Sequence, residues 1–202
     1  MPRCFQFGYR RKIGVLGGSF NPAHEGHLAL SEQARKSAQC DEIWWLVSPQ
    51  NPLKSAEDMA DFRTRLSGAR AIAGAKSWLR VLDIEQTSQI NKSVDVMRLL
   101  RHRARKAHFI WLMGSDNLIQ LPKWYEAQKL PFIMPFMVLR RGDDFYPSIN
   151  SKGRYLCGQK GRVRHPQKLF STKPPALYVD TAFHNPISAT ILRAQQNELR
   201  LS

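Results

Sequence analysis

The segment Gly17-Gly18-Ser19-Phe20-Asn21-Pro22-Ala23-His24-Glu25-Gly26-His27 gathers more potential chemistry than any other stretch of the chain. Two adjacent glycines let a backbone pass close to a ligand, and a helix starting just after them points free N–H groups and its positive dipole end at an anion. His24 and His27 are three residues apart, so they share one helical face and offer imidazole donors to the same phosphate group. Zinc fits less well: an HExxH site spaces its histidines four apart, without a helix-weakening glycine between them. The GxGxxG dinucleotide fingerprint is absent, because the glycines are adjacent and Ser-Phe-Asn-Pro follows them, so hydride transfer is not expected.

Three further places carry suitable residue types. Ser188, after Asn185-Pro186, is a good N-cap, so the helix expected over Ser188 to Leu199 exposes N–H groups, and the planar, permanently charged fork of Arg193 is within reach of a triphosphate. Read alone, that stretch is more simply a capped surface helix with a solvated arginine. Asp116 follows a buried apolar run and Gly114, where a carboxylate accepts ribose hydroxyls, contacts Mg2+ through water, or simply caps the next helix. Trp124 and Tyr125 present flat faces on which a pyridine ring stacks, although aromatics at such spacing more often belong to a core.

The elements that must position these residues alternate. Lys12 to Leu16 reads as a strand, Gly26 to Lys36 as a helix, Ile43 to Ser48 as a continuous apolar strand and Met59 to Ala73 as a helix. Leu79 to Ile84 reads as a strand, Val94 to Lys106 as a helix and His108 to Met113 as a buried strand. Short helical pieces are expected around Leu118 and Trp124, then strands at Phe136 to Arg140 and Ala176 to Val179. Such a βαβ series predicts an α/β fold with a parallel sheet, right-handed crossovers and a ligand site beyond the carboxyl ends of the strands, in the loops after Leu16, Ser48 and Met113.

The two motifs together carry a family resemblance. Gly17 to His27 resembles the (H/T)xGH signature of the nucleotidyltransferase superfamily, and Ile187-Ser188-Ala189-Thr190-Ile191-Leu192-Arg193 resembles its ISxTxxR signature. With Gly114-Ser115-Asp116, Pro122-Lys123-Trp124-Tyr125 and Asn51-Pro52-Leu53-Lys54 in addition, residues 12 to 195 resemble the bacterial nicotinate-nucleotide adenylyltransferases. The resemblance implies a Rossmann-like parallel sheet with helices on both faces, of the nucleotidyltransferase α/β phosphodiesterase type. It implies an enzyme of NAD biosynthesis that joins ATP and nicotinate mononucleotide, with Mg2+, into nicotinate adenine dinucleotide and pyrophosphate. His24, His27 and Arg193 would be catalytic. ATP would meet Gly17, Gly18, Ser19, Phe20, His24, Gly26, His27, Gly114, Asp116, Ile187, Ser188, Thr190 and Arg193. Nicotinate mononucleotide would meet Ser19, Asn21, Lys54, Ser93, Trp124 and Tyr125. In one place the chain departs from the family, which usually carries Tyr-Thr where Lys92-Ser93 stands here. Ser93 keeps the hydroxyl, the aromatic is lost, and a lysine there helps neutralise a carboxylate or phosphate. The alternatives are an adenylyltransferase for nicotinamide mononucleotide or phosphopantetheine, or a degenerate RNA-binding relative.

Composition sets the frame for these readings. The 202 residues are 43% hydrophobic and 23% charged, enough for one domain with a sizeable core. Residues 1–11 read as a lead-in, since no apolar h-region follows the basic start, and 141–175 as an irregular basic insertion or loops. The longest apolar run, Pro131 to Leu139, is too short for a membrane span. Lys+Arg exceed Asp+Glu by 31 − 16 = 15, so the surface attracts polyanions. Arg98, Arg101, Arg103, Arg105 and Lys106 form a run without an acid, but no stacking aromatics accompany it, and nucleic acid is not the expected partner. The odd cysteines Cys4, Cys40 and Cys157 form no CxxC pair, which points to a reducing cytoplasm rather than a disulfide framework.

Overall fold

The computed structural model describes residues 10–49, 59–141, 145–158 and 161–185. Strand β1 (Lys12–Gly18) leads into helix α1 (Glu25–Ala38), then β2 (Glu42–Val47), α2 (Phe62–Ala73) and β3 (Leu79–Leu82). The short α3 (Ile84–Thr87) and the longer α4 (Ser93–Arg103) precede β4 (His108–Gly114) and α5 (Ser115–Gln120). Then come α6 (Leu130–Ile133), β5 (Phe136–Arg141), α7 (Phe145–Ile149), α8 (Lys152–Leu156) and β6 (Leu177–Asn185). All strand pairs are parallel, in the order β3-β2-β1-β4-β5-β6. The expected α/β class, with helices on both faces of a parallel sheet, is the one observed.

Side chains alternate between the two faces of each strand, which divides the core in two. Ile13 and Val15 of β1, Trp44 and Leu46 of β2, and Trp111 and Met113 of β4 face a core closed by Val94, Met97 and Leu100 of α4 and Leu118 of α5. Leu16, Trp45, Val47 and Leu112 face the other core, closed by Leu28, Ala34 and Ala38 of α1 and Leu66, Ala69 and Ala73 of α2. Burying each such large side chain contributes roughly 1.5 to 3 kcal/mol. The buried Trp45 indole donates to Ser31 Oγ at 2.7 Å, and Ser31 in turn donates to the His27 carbonyl at 2.8 Å, so α1 is keyed to the sheet.

Several boundaries differ from the sequence expectation. The third strand ends at Leu82 rather than Ile84, because Ile84 starts a one-turn helix and packs into the core shared with Ile13, Val15 and Trp44 instead of continuing the ladder. The last strand is longer than expected, running to Asn185. The stretch 141–175 is less irregular than its composition suggests: it holds α7, α8 and a 3₁₀ segment, Pro166–Phe170, whose Leu169 and Phe170 pack beside α1. The helix expected over Ser188 to Leu199 lies outside the described residues.

Because every strand points the same way, every strand start lies on one edge. Arg10 and Arg11 before β1, Lys76 before β3, Arg105 and Lys106 before β4 and Lys173 before β6 share that edge with two acids before or at β2, Asp41 and Glu42. Glu42 is buried and already engaged by Arg11, by Arg80 at 2.9 Å and by the Trp44 indole at 2.8 Å. Among the described residues no helix is long and apolar enough to cross a membrane.

Candidate functional site

Strand order reverses between β1 and β4, whose neighbours lie on opposite sides, the position beyond whose carboxyl ends open parallel sheets form their ligand crevice. The β1 loop enters it through Gly17 and Gly18. These two glycines differ. A Cβ on Gly17 would stand 2.8 Å from the Trp111 ring, so Gly17 is glycine for the sake of core packing. A Cβ on Gly18 would meet only the Phe20 ring, at 3.5 Å, an ordinary contact, so packing alone does not require glycine there. Core packing against Trp111 is thus a reason for glycine at position 17 beside the expected backbone approach to a ligand.

Phe20 adopts a left-handed backbone, φ 47°, which is strained by about 1 to 3 kcal/mol for a bulky residue and persists only where the surroundings fix it. Its ring is fully buried, stacked on Trp45 at 5.0 Å and against His27 at 4.8 Å, so only its backbone can meet a ligand. Asn21 Oδ1 accepts from the Ala60 N–H at 3.2 Å, which ties this loop to the segment before α2. Ser19 is buried, and its carbonyl is held by Arg65 at 2.7 Å.

His24 caps α1. Its Nδ1 accepts from the Gly26 N–H at 3.1 Å, while its own N–H donates to His27 Nδ1 at 3.3 Å, a reciprocal capping box made of two imidazoles. The ring centroids are 3.9 Å apart. Burial, followed by the positive charge of Arg141, pushes the His24 pKa down to about 4, so the ring is neutral at pH 7. With Nδ1 accepting, the single proton sits on Nε2. His24 Nε2 lies 3.3 Å from Arg141 Nη2. An imidazole N–H and a guanidinium thus stand side by side at the start of α1 and the end of β5, and one acceptor placed against them can take a hydrogen bond from each. A phosphate oxygen is such an acceptor.

Arg141 ends β5 and is not among the residues singled out by sequence. Ser115, fully buried, donates to its carbonyl at 2.9 Å and accepts from its N–H at 3.0 Å, which pins the ends of β4 and β5 together. The Arg141 guanidinium also lies 3.6 Å from Asp116 Oδ2. Asp116 does not cap α5, whose N-cap is Gly114 without a side-chain bond. Its Oδ1 is buried without a hydrogen-bond partner. A Cβ on Gly114 would stand 2.3 Å from that oxygen, so glycine is what lets the carboxylate fold back over β4. A lone carboxylate with an unsatisfied oxygen fits a Mg2+ that keeps its waters and takes its other ligands from phosphates. No group of three or more His, Cys, Asp or Glu able to hold a metal occurs among the described residues.

On the α4 side, Trp124 is half-buried against the core, whereas Tyr125 is 59% exposed. Lys92 Nζ lies 5.5 Å from the Tyr125 ring centroid, and Ser93 is the first residue of α4 beside it. Of the expected mononucleotide residues, Tyr125 is thus brought to the start of α4 by its contact with Lys92, while Trp124 packs against the core. Lys54, Ile187, Ser188, Thr190 and Arg193 lie outside the described residues.

Comparison with known proteins places this arrangement. Residues 15–195 match the cytidylyltransferase-like family. The chain is 39% identical over 183 residues to the probable nicotinate-nucleotide adenylyltransferase of Gluconobacter oxydans, covering 90% of this chain and 93% of that one. It is 33% identical to the corresponding protein of a Bradyrhizobium species, over 90% of this chain and 95% of the other. Its fold is similar to that of Plasmodium falciparum nicotinic acid mononucleotide adenylyltransferase complexed with NaAD, with a TM-score of 0.67 and 20% identity over 91% and 83% of the two chains. The chain belongs to the cytidylyltransferase-like family, among the nicotinate-nucleotide adenylyltransferases.

Proposed function

We propose that the protein joins ATP and nicotinate mononucleotide into nicotinate adenine dinucleotide and pyrophosphate, as a step of NAD biosynthesis. The observation that carries the chemistry is the pair of facing donors, His24 Nε2 and Arg141 Nη2, at the switch point of a parallel sheet. The mononucleotide phosphate attacks the α-phosphorus of ATP in line; a new P–O bond forms while the bond to the β-phosphate breaks, and pyrophosphate leaves with the electron pair. The nucleophile is already an anion, so no general base or covalent intermediate is required, and rate comes from alignment and from donors aimed at the transferring phosphate.

In this reading neutral His24, with His27 and Arg141, donates to phosphate oxygens, and Gly18 gives the phosphate its room. Arg193, with the helix start at Ile187, Ser188 and Thr190, holds the β- and γ-phosphates. Bound Mg2+ would neutralise triphosphate charge, with Asp116 as its protein contact. Trp124 and Tyr125 supply the stacking faces for the pyridine ring, and Lys92 a cation beside them. The buried, unpaired Cys40 and Cys157 support a reducing, cytoplasmic location.

The test is Mg2+-dependent pyrophosphate release from ATP with nicotinate mononucleotide, nicotinamide mononucleotide and phosphopantetheine supplied in parallel. A kcat/KM at least about tenfold higher with nicotinate mononucleotide is the expected outcome. Equal use of both pyridine nucleotides removes the acid selectivity from the reading. Silence with all three overturns it in favour of a degenerate, RNA-directed fold.

A further inference from the structure

Arg65 sits in the first turns of α2, only 3% exposed, and faces no buried carboxylate among its hydrogen-bond partners. Instead its guanidinium is surrounded by backbone carbonyls. Nε donates to Ala60 at 2.9 Å, Nη1 to Ser19 at 2.7 Å and to Ser48 at 2.8 Å, and Nη2 to Pro49 at 2.6 Å. These carbonyls belong to three different segments: the loop after β1, the loop after β2, and the approach to α2. Two of them are the loops at which a ligand is expected on a parallel sheet.

The geometry at Ser19 has a particular consequence. The Ser19 carbonyl and the Phe20 N–H share one planar peptide unit and point in opposite directions. Holding the carbonyl toward α2 therefore fixes the N–H on the other side, in the residue whose φ of 47° needs external support. An aliphatic or ammonium side chain cannot do this in the same way. Lysine has a compact point charge and no rigid fork, so it cannot span four carbonyls in three segments.

We propose that Arg65 is a positioning residue for adenylyl transfer: it clamps the β1 and β2 loops to α2 and so sets the geometry of the phosphate-binding loop without touching substrate. The proposal rests on the adenylyltransferase reading for its rate effect, and on hydrogen bonding alone for the clamp.

The test uses Arg65→Lys and Arg65→Ala in the full chain, with kcat, KM for ATP and thermal unfolding measured together. Displacing the loop by a fraction of an ångström to one ångström should lower kcat on the order of 10²-fold in Arg65→Lys, with a smaller change in KM. Free guanidinium, far below unfolding concentrations, should restore at least part of the lost kcat to Arg65→Ala, whereas urea at the same concentration should not. An Arg65→Lys protein that folds and keeps kcat within a few-fold of wild type overturns the proposal. So does failure of Arg65→Lys to fold, because the residue then acts in folding, and so does a folded Arg65→Ala that guanidinium leaves unchanged. Nitrogen-15 NMR of the wild type reads the clamp without substrate: slow exchange of the Arg65 Nε–H is expected, and free exchange with water sinks it. A silent wild type with a protected Nε–H would refute the adenylyltransferase reading and leave the clamp standing.

Discussion

At the scale of single residues, the neutral state of His24 has consequences for both rate and stability. His27→Ala should lower kcat on the order of 10²-fold, like the loss of one preorganised donor, and a variant with near-normal kcat would remove His27 from the mechanism. The pKa of His24 falls to about 4 in the fold from 6.5. The unfolded chain therefore takes up a proton first as pH drops, so this stabilising difference is intact above about pH 6.5 and is lost progressively toward pH 4. By pH 5 the loss is on the order of 1 to 2 kcal/mol, and thermal midpoints at pH 8 and pH 5 should converge in His24→Gln relative to wild type. The two histidines were legible because their spacing is local. Arg141 was not, although it ends a strand where ligands are expected, because its meaning comes from partners 117 and 26 residues away and its neighbour Arg140 made it look like one more surface cation. Arg65 was hidden for the same reason: its contacts with Ser19 and Ser48 span 46 and 17 residues.

At the scale of elements, the glycine pair after β1 separates packing from binding. Gly17→Ala drives a methyl group into the Trp111 ring and should destabilise the fold by about 1 to 3 kcal/mol, read as a lower denaturant midpoint at unchanged m. Gly18→Ala should leave the midpoint near wild type and, with the phosphate placed as proposed, raise KM. The reverse pattern would exchange the two assignments. Ser115→Ala should act in between: it removes both hydrogen bonds by which the Ser115 hydroxyl ties the start of α5 to Arg141, costs about 1 to 3 kcal/mol, and loosens the cation that faces His24. The strands were readable from unbroken apolar runs such as Ile43 to Val47, which only a sheet covered on both faces tolerates. Short elements were not. Ile84–Thr87 is one turn, too brief for a helical period, and α7 and α8 lie among residues whose charge and glycine content suggest loops.

At the scale of the whole molecule, excess positive charge and parallel topology combine. The basic strand starts lie at one edge and the crevice beyond the other, separated by the seven residues of β1, or about 20 Å at ~3.3 Å per residue. That exceeds the ~8 Å Debye length at physiological salt, so the basic edge does little for substrate capture. Its effect should appear on a polyanionic resin instead, with retention that collapses steeply as salt rises and no dependence on nucleic-acid sequence. Asp41 and Glu42 offset it only in part, since Glu42 is spent inside the sheet on Arg11, Arg80 and Trp44, and Arg10, Lys76, Arg105, Lys106 and Lys173 outnumber Asp41. The common direction of the strands then fixes which way an adsorbed molecule faces. An anionic surface that grips the strand starts would leave the histidine end turned to open water, so an immobilised molecule should keep a kcat/KM close to its value in solution.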